Sequence, residues 1–288
     1  MAQPKPIPIP LGSNPARSRL ANDTRVINGF VEPVDGSSRT QAGVYGVAGL
    51  TRWVTISGGL CRGMIEAGGN LYVLSGSKLL KLDNAGTVTV MGSVPGTDTA
   101  IMARNAANPV QISIVVNGNI YNAEDDKVLL FYQPELIEDP ISVDWLDGYF
   151  IYGFADGRFF ISGINDTTID PLDFATAEGD PDGLVRAFVL GRELLLLGSK
   201  SIEVWANTGA ADFPFSRLPG AVVKVGLGAR FSVAQVGQTA YWVDDKGIVQ
   251  RMAGGYHAER VSNYEVERLI QKLGDFSGLE AFTYTQNG

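Results

Sequence analysis

The chain has 288 residues, 45% of them hydrophobic and only 19% charged, with 35 Gly and 14 Pro. That composition supplies a full core and many tight turns, and it excludes a disordered polypeptide. The formal net charge of −8 is unevenly spread. Residues 1–65 hold seven basic side chains against three acidic ones, a net of +4, which leaves −12 for the remainder. A body that acidic repels a phosphate backbone and argues against tight DNA binding by its surface, although a wall that DNA slides past tolerates the same charge.

The chain opens with Pro4, Pro6, Pro8, Pro10 and Pro15. Alternating Pro removes every second N–H and favours an extended arm that cannot be a central strand. The opening lacks the apolar core of a signal peptide, and no apolar run approaches the ~20 residues of a membrane helix. Residues 1–43 are therefore expected to form an extended basic arm and loop, with Asn28 to Gly43 as loop carrying short extended pieces. The lone Cys61 excludes an internal disulfide and fits synthesis in a reducing cytoplasm.

Residues 44–260 carry the β pattern. Five times a turn of Gly, Asn or Asp leads at once into an apolar run: at Gly68, Asn117, Asp147, Gly191 and Gly237, in steps of 49, 30, 44 and 46 residues. That is near the roughly 40–50 residues of one four-stranded propeller blade. The fold class expected is all-β, a β-propeller-like domain of repeated antiparallel hairpin units. Three strands per unit are legible, for example Leu71 to Leu74, Lys78 to Asp83 and Thr87 to Met91. A fourth would have to lie in the less regular joins.

Residues 261–288 begin with a helix. Ser262 and Glu265 have capping-box spacing, Val266, Leu269, Ile270 and Leu273 recur at i, i+3, i+4 and i+7, and Gly274 follows. One amphipathic helix of about three turns is expected, packed on the β-domain. Ala281 to Gly288 then reads as an alternating strand running into Asn-Gly, a hairpin turn signal, so the chain is expected to continue into a further β segment.

Candidate chemistry is sparse. His257 is the only histidine, which rules out a multi-histidine metal site, and its Gly254–Glu259 surroundings suit a surface loop. No G-x-S-x-G elbow, no G-x-x-x-x-G-K-[ST] loop and no G-x-G-x-x-G is present. Arg62 beside Cys61 could lower a thiol pKa, but a half-buried small side chain is the better reading. The acidic stretch from Asn165 through Asp166, Asp170, Asp173, Glu178, Asp180 and Asp182 offers oxygen ligands without EF-hand spacing and reads as a solvated turn-rich loop. The aromatic residues Trp145, Tyr149, Phe150, Tyr152, Phe154, Phe159 and Phe160 are expected in the core and between blades rather than on a sugar-stacking platform. No catalytic, cofactor-binding or metal-binding residue is assigned.

Several stretches carry a resemblance. They are Gly157-Arg158-Phe159-Phe160-Ile161-Ser162, Leu172 to Glu178, Asp182-Gly183-Leu184, Gly198 to Trp205, Thr208-Gly209, Phe213 to Arg217 and Gly220. With the Pro-Ile-Pro-Leu opening, the Asn28 to Glu32 region and Ala281-Phe282-Thr283-Tyr284, they resemble the packaged-DNA stabilisation proteins of short-tailed bacteriophages. The resemblance implies a virion protein, the tail nozzle or hub. It would assemble as a homo-oligomeric six-fold ring below the portal-adaptor proteins, carry tail spikes or fibres and a needle or plug, and let double-stranded DNA pass without sequence-specific binding. It implies neither a membrane partner nor catalytic residues nor a cofactor, and a place in the virion tail after synthesis in the host bacterial cytoplasm. Arg17, Arg19 and Arg25 are the candidate contacts to the adaptor or a neighbouring subunit. The alternatives are a carbohydrate-binding or glycan-cleaving propeller and a protein-interaction scaffold propeller.

Overall fold

A computed structural model describes residues 14–15, 23–24, 26–33, 42–124, 127–131, 139–177, 179–252 and 254–285. The two-residue strands β1 (Asn14–Pro15) and β2 (Asp23–Thr24) pair, and β3 (Gly29–Pro33) and β4 (Ala42–Gly46) form a two-stranded ribbon. Among the described residues, five four-stranded antiparallel meanders follow. The first blade is β5 (Cys61–Ala67), β6 (Asn70–Ser75), β7 (Lys78–Leu82) and β8 (Val88–Ser93). The second is β9 (Ile101–Arg104), β10 (Ile112–Val116), β11 (Asn119–Glu124) and β12 (Lys127–Phe131). The third is β13 (Pro140–Leu146), β14 (Tyr149–Phe154), β15 (Arg158–Ser162) and β16 (Ile169–Thr176). The fourth is β17 (Leu184–Leu190), β18 (Glu193–Gly198), β19 (Ile202–Asn207) and β20 (Phe215–Val223). The fifth is β21 (Ala234–Val236), β22 (Thr239–Val243), β23 (Val249–Met252) and β24 (Ala258–Arg260).

The turns that marked the repeat in the sequence have the backbone their residues permit. Gly68-Gly69, Asn117-Gly118 and Asp147-Gly148 hold positive φ at both central residues, the type I′ signature that matches strand twist. Four of the five marks join the first two strands of a blade. Asn117 instead joins the second and third strands of its blade. This displacement produced the uneven steps of 49 and 30. In that blade the first connection is the longer 105–111 stretch, where Asn105 Oδ1 accepts from the Gln111 and Ala107 amides.

Blade stacking buries the middle strands on both faces, so they read as continuous apolar runs. Leu194 to Leu197 of β18 are all 0–1% exposed. Adjacent blades share cores: Leu74, Leu79 and Met91 with Ile112, Ile114 and Tyr121; Ile101 and Val115 with Tyr152, Phe154 and Phe160. Phe159 and Ile161 likewise pack with Leu194, Leu196 and Trp205, and Leu195 and Val204 with Ala240, Trp242 and Met252. This is the propeller-like arrangement expected from the sequence, with the expected aromatic residues inside it.

The helix α1 (Tyr264–Gln271) differs from expectation in three ways. It spans eight residues, about two turns. Its N-cap is Asn263, whose Oδ1 accepts from the Val266 amide at 3.0 Å, rather than Ser262. Ser262 is diverted because its hydroxyl accepts from the Val249 amide and donates to Glu267. The helix also docks through its polar side: Glu267 is buried and pairs with Arg260 at 2.6 Å, while Val266, Leu269 and Leu273 stay exposed.

Candidate functional site

Side chains that could do chemistry are dispersed. His257 lies exposed in the turn before β24. Cys61 is exposed rather than half-buried, and Arg62 does not serve it. The Arg62 guanidinium is buried and donates to the carbonyls of Asp98, Gly76, Val94 and Pro95 at 2.7–3.2 Å. It ties the first blade to the connection that leads into the second. Among the described residues, no three His, Cys, Asp or Glu side chains gather as a metal site.

Polar groups do converge where the blades meet. The innermost strands are stapled across blades by side chain–backbone hydrogen bonds. Ser142 Oγ accepts from the Ala187 amide at 3.0 Å, and Asp144 Oδ2 accepts from the Val189 amide at 2.8 Å. One strand further out, the hydroxyls of Ser113 in β10 and Tyr152 in β14 pair side chain to side chain at 2.9 Å, and at the hub Arg186 Nη1 donates to the Arg230 carbonyl at 3.1 Å. Burial pushes the Asp144 carboxyl above its ordinary value, against the opposing pull of two amide hydrogen bonds and of Arg186. Burial also lowers the Arg186 and Arg230 guanidiniums, in Arg186 against the field of Asp144. Next to this group a cavity of about 490 Å³ is lined by Asp98, Thr99, Asn117, Asp139, Arg230 and Phe231 among others. Its charges are mixed, Asp98 and Asp139 with Arg230, and its described lining holds no histidine, cysteine or lysine to pair as nucleophile and base.

The acidic stretch is only partly a loop. Residues Ile169–Thr176 form the outer strand β16, and Asp166 folds back on the Thr167 amide and the Thr168 hydroxyl, which hold its carboxyl below the usual range. Asp182 accepts from the amides of Lys200 and Ser201 at 2.6 and 2.8 Å, closing the turn between β18 and β19. Glu203, 3% exposed, accepts from the Gly179 amide and from Trp205 Nε1, with Arg217 at 3.8 Å. Phe159 meets Trp205 and Phe213 edge-on at 5.1 and 5.7 Å. Residues that carried the family resemblance therefore meet at the junction of the third and fourth blades, where they build the wall between them.

Arg17, Arg19 and Arg25 lie outside the described residues. Sequence reasoning missed the concentration of exposed apolar groups on the N-terminal ribbon: Phe30, Val44 and Tyr45 are 51, 55 and 49% exposed. The apolar pairs Phe30-Val31 and Val44-Tyr45 were the available signal, obscured by the polar residues between them in the sequence.

The chain matches the family Phage_stabilise, described as Bacteriophage P22 Gp10, beta-propeller, over residues 21–287. No curated protein matches it. Among solved structures it is similar to the beta-propeller domain of Myceliophteria thermophila Cps50 (Swd1), with TM-score 0.52, 13% identity, and 70% of this chain covering 72% of that one. It is also similar to PorZ of Porphyromonas gingivalis (TM-score 0.47, 12% identity, 71% of this chain and 28% of that one). BamB of Moraxella catarrhalis gives TM-score 0.44 and 10% identity, with 70% and 72% covered. At such identities the likeness to Cps50 shows the propeller fold alone.

Proposed function

From the chain's place in the Phage_stabilise family, to which it belongs over nearly its whole length, we propose that it is the tail nozzle or hub of a short-tailed phage. Membership in that family supports a structural virion role in stabilising packaged DNA. In our reading the protein assembles as a six-fold ring below the portal-adaptor proteins, closes the DNA channel after packaging and conducts DNA during ejection. Spikes or fibres and a needle or plug attach to the ring. The family match carries the proposal, and two features support it. Blades welded by shared cores and hub staples make a stiff wall, and an acidic body of charge −12 outside residues 1–65 lets DNA slide past without adhering.

In this reading the protein has no catalytic step to perform. Residues 1–43 act as a docking arm, 44–260 as the propeller and 261–288 as the helix and the extended β segment after it. Arg17, Arg19 and Arg25 contact the adaptor or a neighbouring subunit, and the protein resides in the virion tail after synthesis in the host cytoplasm. The test is a phage lacking this gene, with and without the gene supplied in trans. Particles that package DNA and then lose it on purification, and retain it when complemented, support the proposal. Particles that retain DNA without the protein overturn it.

A further inference from the structure

We propose that the turn Gly254–Tyr256 is a latch on the seam between the fourth and fifth blades. The Tyr256–Glu193 hydrogen bond holds it shut, and the turn swings outward when that bond breaks.

The backbone of Tyr256 marks the place. Among the described residues, five non-glycine residues hold a positive φ. Four are Asn or Asp (Asn28, Asn117, Asp147 and Asn165), whose short polar side chains suit that conformation. The fifth is Tyr256 at φ 50°, directly after Gly254 and Gly255 at 43° and 84°. A bulky ring on a left-handed backbone is strained and persists only where its contacts over-determine it; such residues gather at clamps and switch regions.

The contact that holds Tyr256 crosses the seam. The residue lies between β23 and β24 of the fifth blade, and its hydroxyl donates to Oε1 of Glu193, the first residue of β18 in the fourth, at 2.5 Å. The bond raises the Tyr256 pKa above its ordinary value, as a donor bound to a carboxylate requires. The ring packs against the core that the two blades share, which includes Leu190 of β17 and Met252 of β23, 9 and 3% exposed. A cavity of about 420 Å³ opens here, lined by Leu190, Glu193, Gln238, Met252 and Tyr256 among others. Gly254 and Gly255 are exposed, and a Cβ at Gly254 would meet nothing within 4 Å. The two glycines supply the backbone freedom for the turn to move.

The opposite end of the seam is tied in another way. Strand β18 runs from Glu193 to Gly198, and at its far end the Leu227 amide donates to the Gly198 carbonyl at 2.8 Å. Lys200 pairs there with Asp245, and the buried Trp242 Nε1 donates to the Gly226 carbonyl at 3.1 Å. Loss of the Tyr256 bond therefore frees the turn end of the seam and leaves the other end closed. Opening uncovers the Leu190 and Met252 end of the shared core.

The test uses the full chain carrying Tyr256→Phe, which keeps the ring and removes only the hydroxyl. Met252 is the probe, because hydrogen peroxide converts a thioether that reaches solvent to its sulfoxide, releasing water. Met91, 8% exposed in the core shared by the first and second blades, is the reference. By mass spectrometry, Met252 should oxidise about tenfold faster than in the wild type, the change expected for losing one hydrogen bond to a charged group, while Met91 keeps its rate. Hydrogen exchange should quicken at the amides of residues 254–257 and stay unchanged in β22 and β23. Glu193→Ala, which removes the other partner, should give the same changes. An unchanged Met252 rate in either variant overturns the inference. So does exchange that quickens through all the strands of the fifth blade together, since the bond would then serve the stability of the whole blade.

Discussion

Replacing Phe159 by Ala tests whether adjacent blades share cores or merely abut. Phe159 is 0% exposed, and its ring is edge-on to Trp205 (5.1 Å, 81°) and Phe213 (5.7 Å, 62°). A Phe→Ala truncation at a fully buried site costs about 3–5 kcal/mol from lost transfer energy and the cavity left behind. Each aromatic pair adds about 0.5–1.5 kcal/mol beyond its area. For a domain of this size, that corresponds to a fall in melting temperature of roughly 8–15 °C. Calorimetry of the wild type, of Phe159→Ala and of Leu172→Ala, whose side chain is 83% exposed, supplies the measurement. Leu172→Ala should stay within about 0.5 kcal/mol of wild type. A double-mutant cycle with Trp205→Ala should give a coupling of about 0.5–1.5 kcal/mol. A fall of under 2 °C for Phe159→Ala, or a coupling of zero, would refute the shared core.

Glu203→Ala should destabilise by about 1–3 kcal/mol, seen in chemical denaturation, because it strands the buried Trp205 indole N–H and the half-buried Gly179 amide; Glu203→Gln, which keeps an acceptor, should cost less. Gly76 has φ +54 and a Cβ there would overlap the Gly58 carbonyl, whereas Gly209 at φ +68 has open space around it. Gly76→Ala should therefore cost several times the ~1 kcal/mol expected of Gly209→Ala in thermal melts. The Asp166 carboxyl is held below its ordinary value by Thr168 and Thr167, so the stability it contributes is present above about pH 4 and is lost as pH falls through the lower folded-state value. Asp166→Asn should flatten that acid limb in urea midpoints measured from pH 2.5 to 5, and an unchanged limb would count against the bonds described.

The parts of the fold visible in the sequence were those with strong local chemistry. Asp147-Gly148 and Gly68-Gly69 announce type I′ turns because few other residues accept positive φ twice running, and Leu194 to Leu197 announce a strand buried on both faces. The unseen strands are the first strands of the first two blades and the outermost strands of the other three. Cys61–Ala67 carries Gly63 and a solvent-facing Glu66, and Ile101–Arg104 has only four residues. Ile169–Thr176 and Phe215–Val223 carry Pro171 and Pro219, tolerated at sheet edges but damaging to a strand pattern. The helix face was misjudged because periodicity reports amphipathicity and not which side docks. The ion pair of exposed Arg260 with buried Glu267 and the Gln271 bond to the Lys246 carbonyl fixed the polar side instead. The hub staples were illegible because Ser142, Asp144 and Arg186 look ordinary until distant strands converge.

The central claim, that these blades are wall material for a viral ring, is tested most directly by imaging. Purified full chain, alone and mixed with the portal-adaptor ring, is examined by negative-stain class averaging and mass photometry. The account predicts closed six-fold rings seated on the adaptor. A chain that remains a monomer at every concentration, with and without the adaptor, would contradict it.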